Sequence, residues 1–183
     1  MSRDIEDLVP EFRMEVERLL EACVKDGFTM KPFFTLRTPA EQARLWRQSR
    51  TAEEIGAAIT TLQDASATFL AGVIEQVGPQ AGKRVTNALP GQSWHQWGEA
   101  VDCFWLVDRK AEWSSARKVE LADGNKINGY HLYAQIAKQR NLEPGGLWSK
   151  LKDWPHVQLR AESSPTRIFA WNEIDARMRE RFT

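Results

Sequence analysis

The chain has three histidines, His95, His131 and His156, and two of them sit in segments rich in other reactive side chains. His95 lies within Gly91-Gln-Ser-Trp-His-Gln-Trp-Gly-Glu-Ala-Val-Asp102, and His156 closes Asp153-Trp-Pro-His156. Two imidazoles and a carboxylate make a three-ligand set for catalytic zinc that leaves the fourth position to water. The gap from His95 to Asp102 fits one face of a helix, but Gly98 and the β-rich run after it argue for a loop and then a strand. On that reading His95 stands at the mouth and Asp102 points off one strand face, which puts Cys103 on the opposite face and argues against a thiolate ligand. His131 shares a helical face with Gln135 and Lys138 and reads as a solvated bystander.

The elements that must hold these residues are legible in outline. Leu8, Phe12, Val16, Leu19, Leu20 and Cys23 recur at helical spacing, and Pro10 suits a first turn, so a helix is expected from about residue 10 to Lys25. Phe33-Phe-Thr-Leu36 reads as a short buried strand running into Thr38-Pro-Ala-Glu41, a capping box with proline at the first helical position. Arg37 therefore stands at a strand-to-helix junction. Thr51-Ala-Glu-Glu54 repeats the capping pattern, and Phe69 to Val77 is amphipathic up to Gly78-Pro79. Gly98 to Val107 reads as a strand, residues 108–126 as irregular, a hairpin or mobile flap. Gly129 to Arg140 reads as a helix, Asn141 to Gly146 as a turn and His156 to Leu159 as a short strand. Ser164-Pro165 is expected to start a last helix ending near Arg181. Helices that come first, last and between strands without βαβ alternation indicate an α+β fold.

Composition bounds the possibilities. At about 150 residues per domain, a chain of 183 residues fits a single domain spanning 1–183. With 42% hydrophobic residues it can build a core, and its 25 basic residues balance its 25 acidic ones. Neutrality, with a pI near 6.8, excludes non-specific attraction to nucleic acid or acidic membranes as the main activity. The longest stretch free of Asp, Glu, Lys and Arg, Val85 to Gly98, is polar, so no membrane insertion is expected. The acidic start, Met1 to Asp7, has no apolar core of a secretory signal. Two cysteines without a C-x-x-C make no disulfide framework, and Cys23 reads as a small buried apolar residue. Eight tryptophans are many for this length. Trp94, Trp97, Trp105, Trp148 and Trp154 crowd the histidine segments, as core or as a pocket wall that stacks sugars.

The pattern Ser93-x-His95-x-x-Gly98-x-Ala100-x-Asp102, followed by Asp153-x-Pro-His156-Val-Gln158, resembles one family. This is the zinc D-alanyl-D-alanine carboxypeptidase and L-alanyl-D-glutamate endopeptidase family (VanY-like peptidases), which includes phage endolysins. Val85 to Ser93 resembles its lead into the first ligand, Leu36 to Gln42 its arginine segment, and Asn128 to Tyr133 its helix before the final motif. The likeness covers residues 30–160. The sequence departs from the pattern at Pro144, where a tryptophan usually precedes the Gly-Gly.

The resemblance implies an α+β fold of the Hedgehog/DD-peptidase-like kind, a small antiparallel sheet carrying the metal with helices packed against it. It implies one Zn²⁺ ion held by His95, Asp102 and His156, with Asp153 as the general base that takes a proton from water and hands it to the leaving amine. Arg37 would offer donors to the oxyanion or to a substrate carboxylate. Ser93 and Gln42 belong to the substrate side, Gln42 by orienting Arg37. The implied substrate is the peptidoglycan stem peptide, cut between L-Ala and D-Glu. The alternatives are D-Ala-D-Ala carboxypeptidase activity or a catalytically silent wall-binding module. A monomer is expected, made in the cytoplasm without a signal peptide and reaching the wall by holin-type or other non-Sec release.

Overall fold

The computed structural model describes residues 1–120 and 124–183. In chain order the elements are α1 (Pro10–Lys25), β1 (Thr29–Phe34), α2 (Pro39–Arg47), α3 (Ala52–Asp64), α4 (Thr68–Gln76) and β2 (Ala100–Val107). There follow β3 (Lys110–Glu112), β4 (Val119–Glu120), β5 (Lys126–Ile127), α5 (Gly129–Gln139), β6 (Glu143–Pro144), β7 (His156–Gln158) and α6 (Trp171–Phe182). The fold is α+β, and its chain forms two compact units.

One unit comprises residues 2–36 and 97–161. Its centre is an antiparallel sheet in the order β1-β2-β7-β6, with β3 also paired to β2. Along β2, Val101, Cys103 and Trp105 are buried while Asp102, Phe104 and Leu106 are half-buried. The pleat sends alternate residues to opposite faces, so one face of β2 is core and the other, half-buried from Asp102 to Leu106, carries the carboxylate. The core face packs Val101, Cys103 and Trp105 with Phe12, Val16, Leu19 and Cys23 of α1 and with Tyr130 and Tyr133 of α5. Cys23 and Cys103 are free and buried, and burial first of all pushes each thiol up to about 12. They serve as small apolar residues here.

The second unit comprises Met1 and residues 37–96 and 162–183. Both expected capping boxes are present: Thr38 with Glu41 opens α2 and Thr51 with Glu54 opens α3. Helix α4 has no cap of its own, and Asp175 of α6 accepts from the Leu70 amide at 2.8 Å instead. Leu62, Leu70, Ile74, Ile174 and Met178 are fully buried here.

Three expectations are revised, and of the two alternatives for residues 108–126 the hairpin is found. The first strand spans Thr29–Phe34 rather than 33–36, and its Phe33 and Phe34 are half-buried rather than buried. It lies at a sheet edge, which tolerates Pro32. Residues 108–126 include a hairpin: Asp108 and Arg109 turn β2 into β3, both at positive φ (49° and 62°) as a primed two-residue turn requires. Strands β4 and β5 also pair, while 121–123 of the expected flap lie outside the described residues. Part of the turn at 141–146 is strand, because Glu143 and Pro144 pair with Gln158 and Val157. The last helix starts at Trp171, after a single 3-10 turn at Pro165–Arg167 that Ser164 caps.

Gly129 shows how tightly the core is closed. A Cβ there would stand 2.5 Å from the Trp105 ring. Gly129→Ala should therefore destabilise the protein by about 1–3 kcal/mol in urea unfolding through overpacking, although alanine is the better helix former.

Candidate metal centre

The strand pairing brings Asp102 and His156 opposite one another, Asp102 on β2 and His156 on β7. His156 Nδ1 lies 3.0 Å from Asp102 Oδ1. The other ring nitrogen, Nε2, lies 3.0 Å from Gln158 Oε1, and Gln158 in turn donates its amide to the Arg160 carbonyl at 2.6 Å. That second bond fixes the Gln158 amide with its oxygen towards His156. With acceptors at both nitrogens the ion-free ring favours its protonated form, and with Nε2–H held by this oxygen Nδ1 is the nitrogen that would give up its proton to a metal.

His95 lies on a 3-10 turn, Trp94–Trp97, just ahead of β2, and its carbonyl accepts from the Arg37 amide at 3.2 Å. This agrees with a loop-then-strand reading of the His95–Asp102 gap rather than a helical face. Among the described residues, His95, Asp102 and His156 form the group able to hold a metal ion, one ligand atom from each lying within 4.8 Å of the others. Its two nitrogens and one carboxylate oxygen are donors that zinc favours. The residues fit the ion.

The remaining expected residues are placed as follows. Arg37 donates from Nη1 to Gln42 Oε1 at 2.9 Å, and buried Gln42 is itself anchored by its amide to the Ala88 carbonyl at 2.7 Å. Ser93 is half-buried, its carbonyl accepting from the Gln96 amide. Asp153 is exposed; its amide donates to the Gly145 carbonyl at 3.1 Å and its own carbonyl accepts from His156 N at 3.2 Å. Glu99 is neutralised by Arg160 through two contacts of 2.7 and 2.9 Å. Of the tryptophans, Trp94, Trp97 and Trp105 are buried, whereas half-buried Trp148 packs its ring 5.2 Å from that of His156. His131 is exposed but stacks on Trp154 at 4.3 Å, so it props that ring rather than standing idle.

Sequence reasoning misses two features. Gln158 stands two residues after His156, a spacing that by itself signals the same strand face. The pair Gly145-Gly146 leaves room for the segment after it: a Cβ on Gly145 would stand 2.5 Å from the Asp153 carbonyl oxygen, and one on Gly146 would stand 2.4 Å from the Trp154 ring.

A family model described as VanY: D-alanyl-D-alanine carboxypeptidase matches residues 6–133, more than half of the chain. The chain belongs to the VanY family. The match contains His95 and Asp102 and ends before Asp153 and His156. This VanY-family chain is also 28% identical over 156 residues to the peptidoglycan L-alanyl-D-glutamate endopeptidase CwlK of Bacillus subtilis (strain 168), covering 84% of this chain and 74% of that protein. A crystal structure of the Serratia marcescens L-Ala D-Glu endopeptidase ChiX aligns at 18% identity with a TM-score of 0.46, over 85% of this chain and 83% of that one. The family and the Bacillus relative support a peptidase acting on peptidoglycan.

Burial pushes the His156 pKa down, but the hydrogen bond and charge of Asp102, with Asp153 and Gln158, pull it up, and the net shift is upward from 6.5. A raised folded pKa gives stability that is fully present below pH 6.5 and is lost as pH rises through the folded value. In metal-free protein, Asp102→Asn should therefore cost more unfolding free energy at pH 6 than at pH 8, measured by urea denaturation in chelator. An equal cost at both pH values would contradict the pairing.

Proposed function

We propose that this VanY-family chain is a zinc peptidase that hydrolyses the L-Ala–D-Glu bond of the peptidoglycan stem peptide. The observation that carries the reading is the His95, Asp102 and His156 donor set on a chain matched by the family. Zinc held by these three would lower the pKa of a water towards ~7 and polarise the scissile carbonyl. Similarity to an endopeptidase named for the L-Ala–D-Glu bond supports that bond over the terminal D-Ala–D-Ala. The family's own description favours the latter as the second reading.

The chain's residues divide the work. The Asp153 carboxylate accepts the proton of the attacking water and returns it to the leaving amine. Its side chain is exposed, while its backbone is held by Gly145. The Arg37 guanidinium, braced by Gln42, donates to the developing oxyanion or to a carboxylate of the substrate. Gln158 holds the Nε2 side of His156, so that Nδ1 is the nitrogen that would face the ion, and Ser93 hydrogen-bonds to substrate. The proposal includes an endolysin-like, bacteriolytic role, with a single polypeptide reaching the wall through a holin-type or other non-Sec route. Among the described residues no helix is long and apolar enough to cross a membrane.

Mass spectrometry of products from a defined muropeptide names the bond. Release of a fragment beginning at D-Glu, abolished by chelator and restored by zinc, is the expected result. Loss of a terminal D-Ala would favour the carboxypeptidase, and binding to sacculi without turnover would favour a silent module. Asp153→Asn should lower kcat by about 10²–10⁴ with zinc content unchanged. Gln158→Leu should weaken zinc affinity by about 10–100-fold, read by competition with a chromogenic chelator.

A further inference from the structure

The open face of the sheet does not end at its charged pair. Asp102 and Phe104 are two residues apart on β2 and share that face, about 7 Å from each other along the strand. Phe34 of β1 pairs with Asp102, and Trp113 follows β3 beside Phe104. Their rings form one cluster. The Phe33 ring centroid lies 4.1 Å from that of Phe34, 4.8 Å from Trp113 and 6.3 Å from Phe104, and the Phe104 and Trp113 rings are 5.7 Å apart. Arg3 stands over the Phe33 ring at 4.7 Å. Trp113 is 47% exposed and the three phenylalanines are half-buried, so the cluster is a surface platform rather than core. Contiguous exposed aromatic surface of this kind marks an interaction site.

Its position beside Asp102 says what should lie on it. In peptidoglycan the stem begins with L-Ala, whose nitrogen is acylated by the lactyl group of the muramyl sugar. The L-Ala–D-Glu bond is thus a single amino acid from a pyranose ring, and at about 3.5 Å per extended residue the lactyl link keeps that ring within roughly 10 Å. A terminal D-Ala–D-Ala bond stands several residues further out. Pyranose rings present C–H faces that stack on aromatic side chains, and Trp113 offers the most exposed face here.

We infer that Phe33, Phe34, Phe104 and Trp113 form a saccharide subsite for the muramyl unit attached to the scissile stem peptide. The inference rests on the L-Ala–D-Glu reading, and it makes the enzyme prefer stems still joined to sugar. The test compares a disaccharide-linked stem peptide with the same peptide lacking the disaccharide. Wild type should show a kcat/KM about fivefold higher on the sugar-linked form, a size in keeping with one aromatic stacking contact. Trp113→Ala should erase that preference through KM and leave the free peptide's kcat/KM unchanged, and Trp113→Phe should restore part of it. Equal rates on both substrates in wild type, or equal losses on both in Trp113→Ala, overturn the subsite and leave the peptidase reading standing. Should wild type cut neither, the peptidase reading fails, and titration of the free disaccharide decides the subsite. Chemical-shift changes in wild type that vanish in Trp113→Ala uphold it, and no binding at millimolar sugar overturns it. A dimer in sedimentation that Trp113→Ala dissolves, without a sugar effect, assigns the platform to a second copy of the chain instead.

Discussion

Strand β2 must satisfy two environments with one run of residues, and the rest of the site depends on how it does so. Val101, Cys103 and Trp105 enter a core closed by α1 and α5, whereas Asp102, Phe104 and Leu106 stay at the surface of the sheet. Burying the Asp102 carboxylate among those apolar groups without a partner would cost several kcal/mol. A slip of one residue in pairing would do that and would bring Cys103 out in its place. The core therefore sets the register, and the register sets which carboxylate faces His156 across the ladder.

Around that pair stand the Gln158 amide, the Asp153 charge and close backbone packing. His156 is held at both nitrogens, by Asp102 on one side and by Gln158 on the other. The Arg160 carbonyl orients Gln158, and the Arg160 side chain neutralises Glu99, so one residue serves both through different atoms. Residues Gly145 and Gly146 let the Asp153-Trp154 segment come closer than any side chain would permit. This reliance on backbone proximity ties the position of Asp153 to the sheet edge at β6, which pairs with the strand that bears His156.

Much of this architecture is legible in short stretches of the chain. The two capping boxes at Thr38 and Thr51, the helix from Pro10, and the placement of Asp102 on a strand with Cys103 behind it all follow from residues within one or two turns of each other. The misreadings also have local causes. Pro32 disguises the start of an edge strand, and Ser164-Pro165 carries a helix-start signal that ends after one turn. His131 reads as solvated because its stacking partner, Trp154, is distant in sequence.

By itself the sequence determined the reactive residue types, their strand and helix settings and the family pattern they belong to, since caps, alternation and motif spacing are short-range properties. The tertiary structure alone decided the pairings between distant residues. Asp102 meets His156 across 54 positions, and Asp175 caps α4 across 105. Neither partner carries a local mark of the other, because such contacts arise from packing, which brings distant segments together only when the whole core closes.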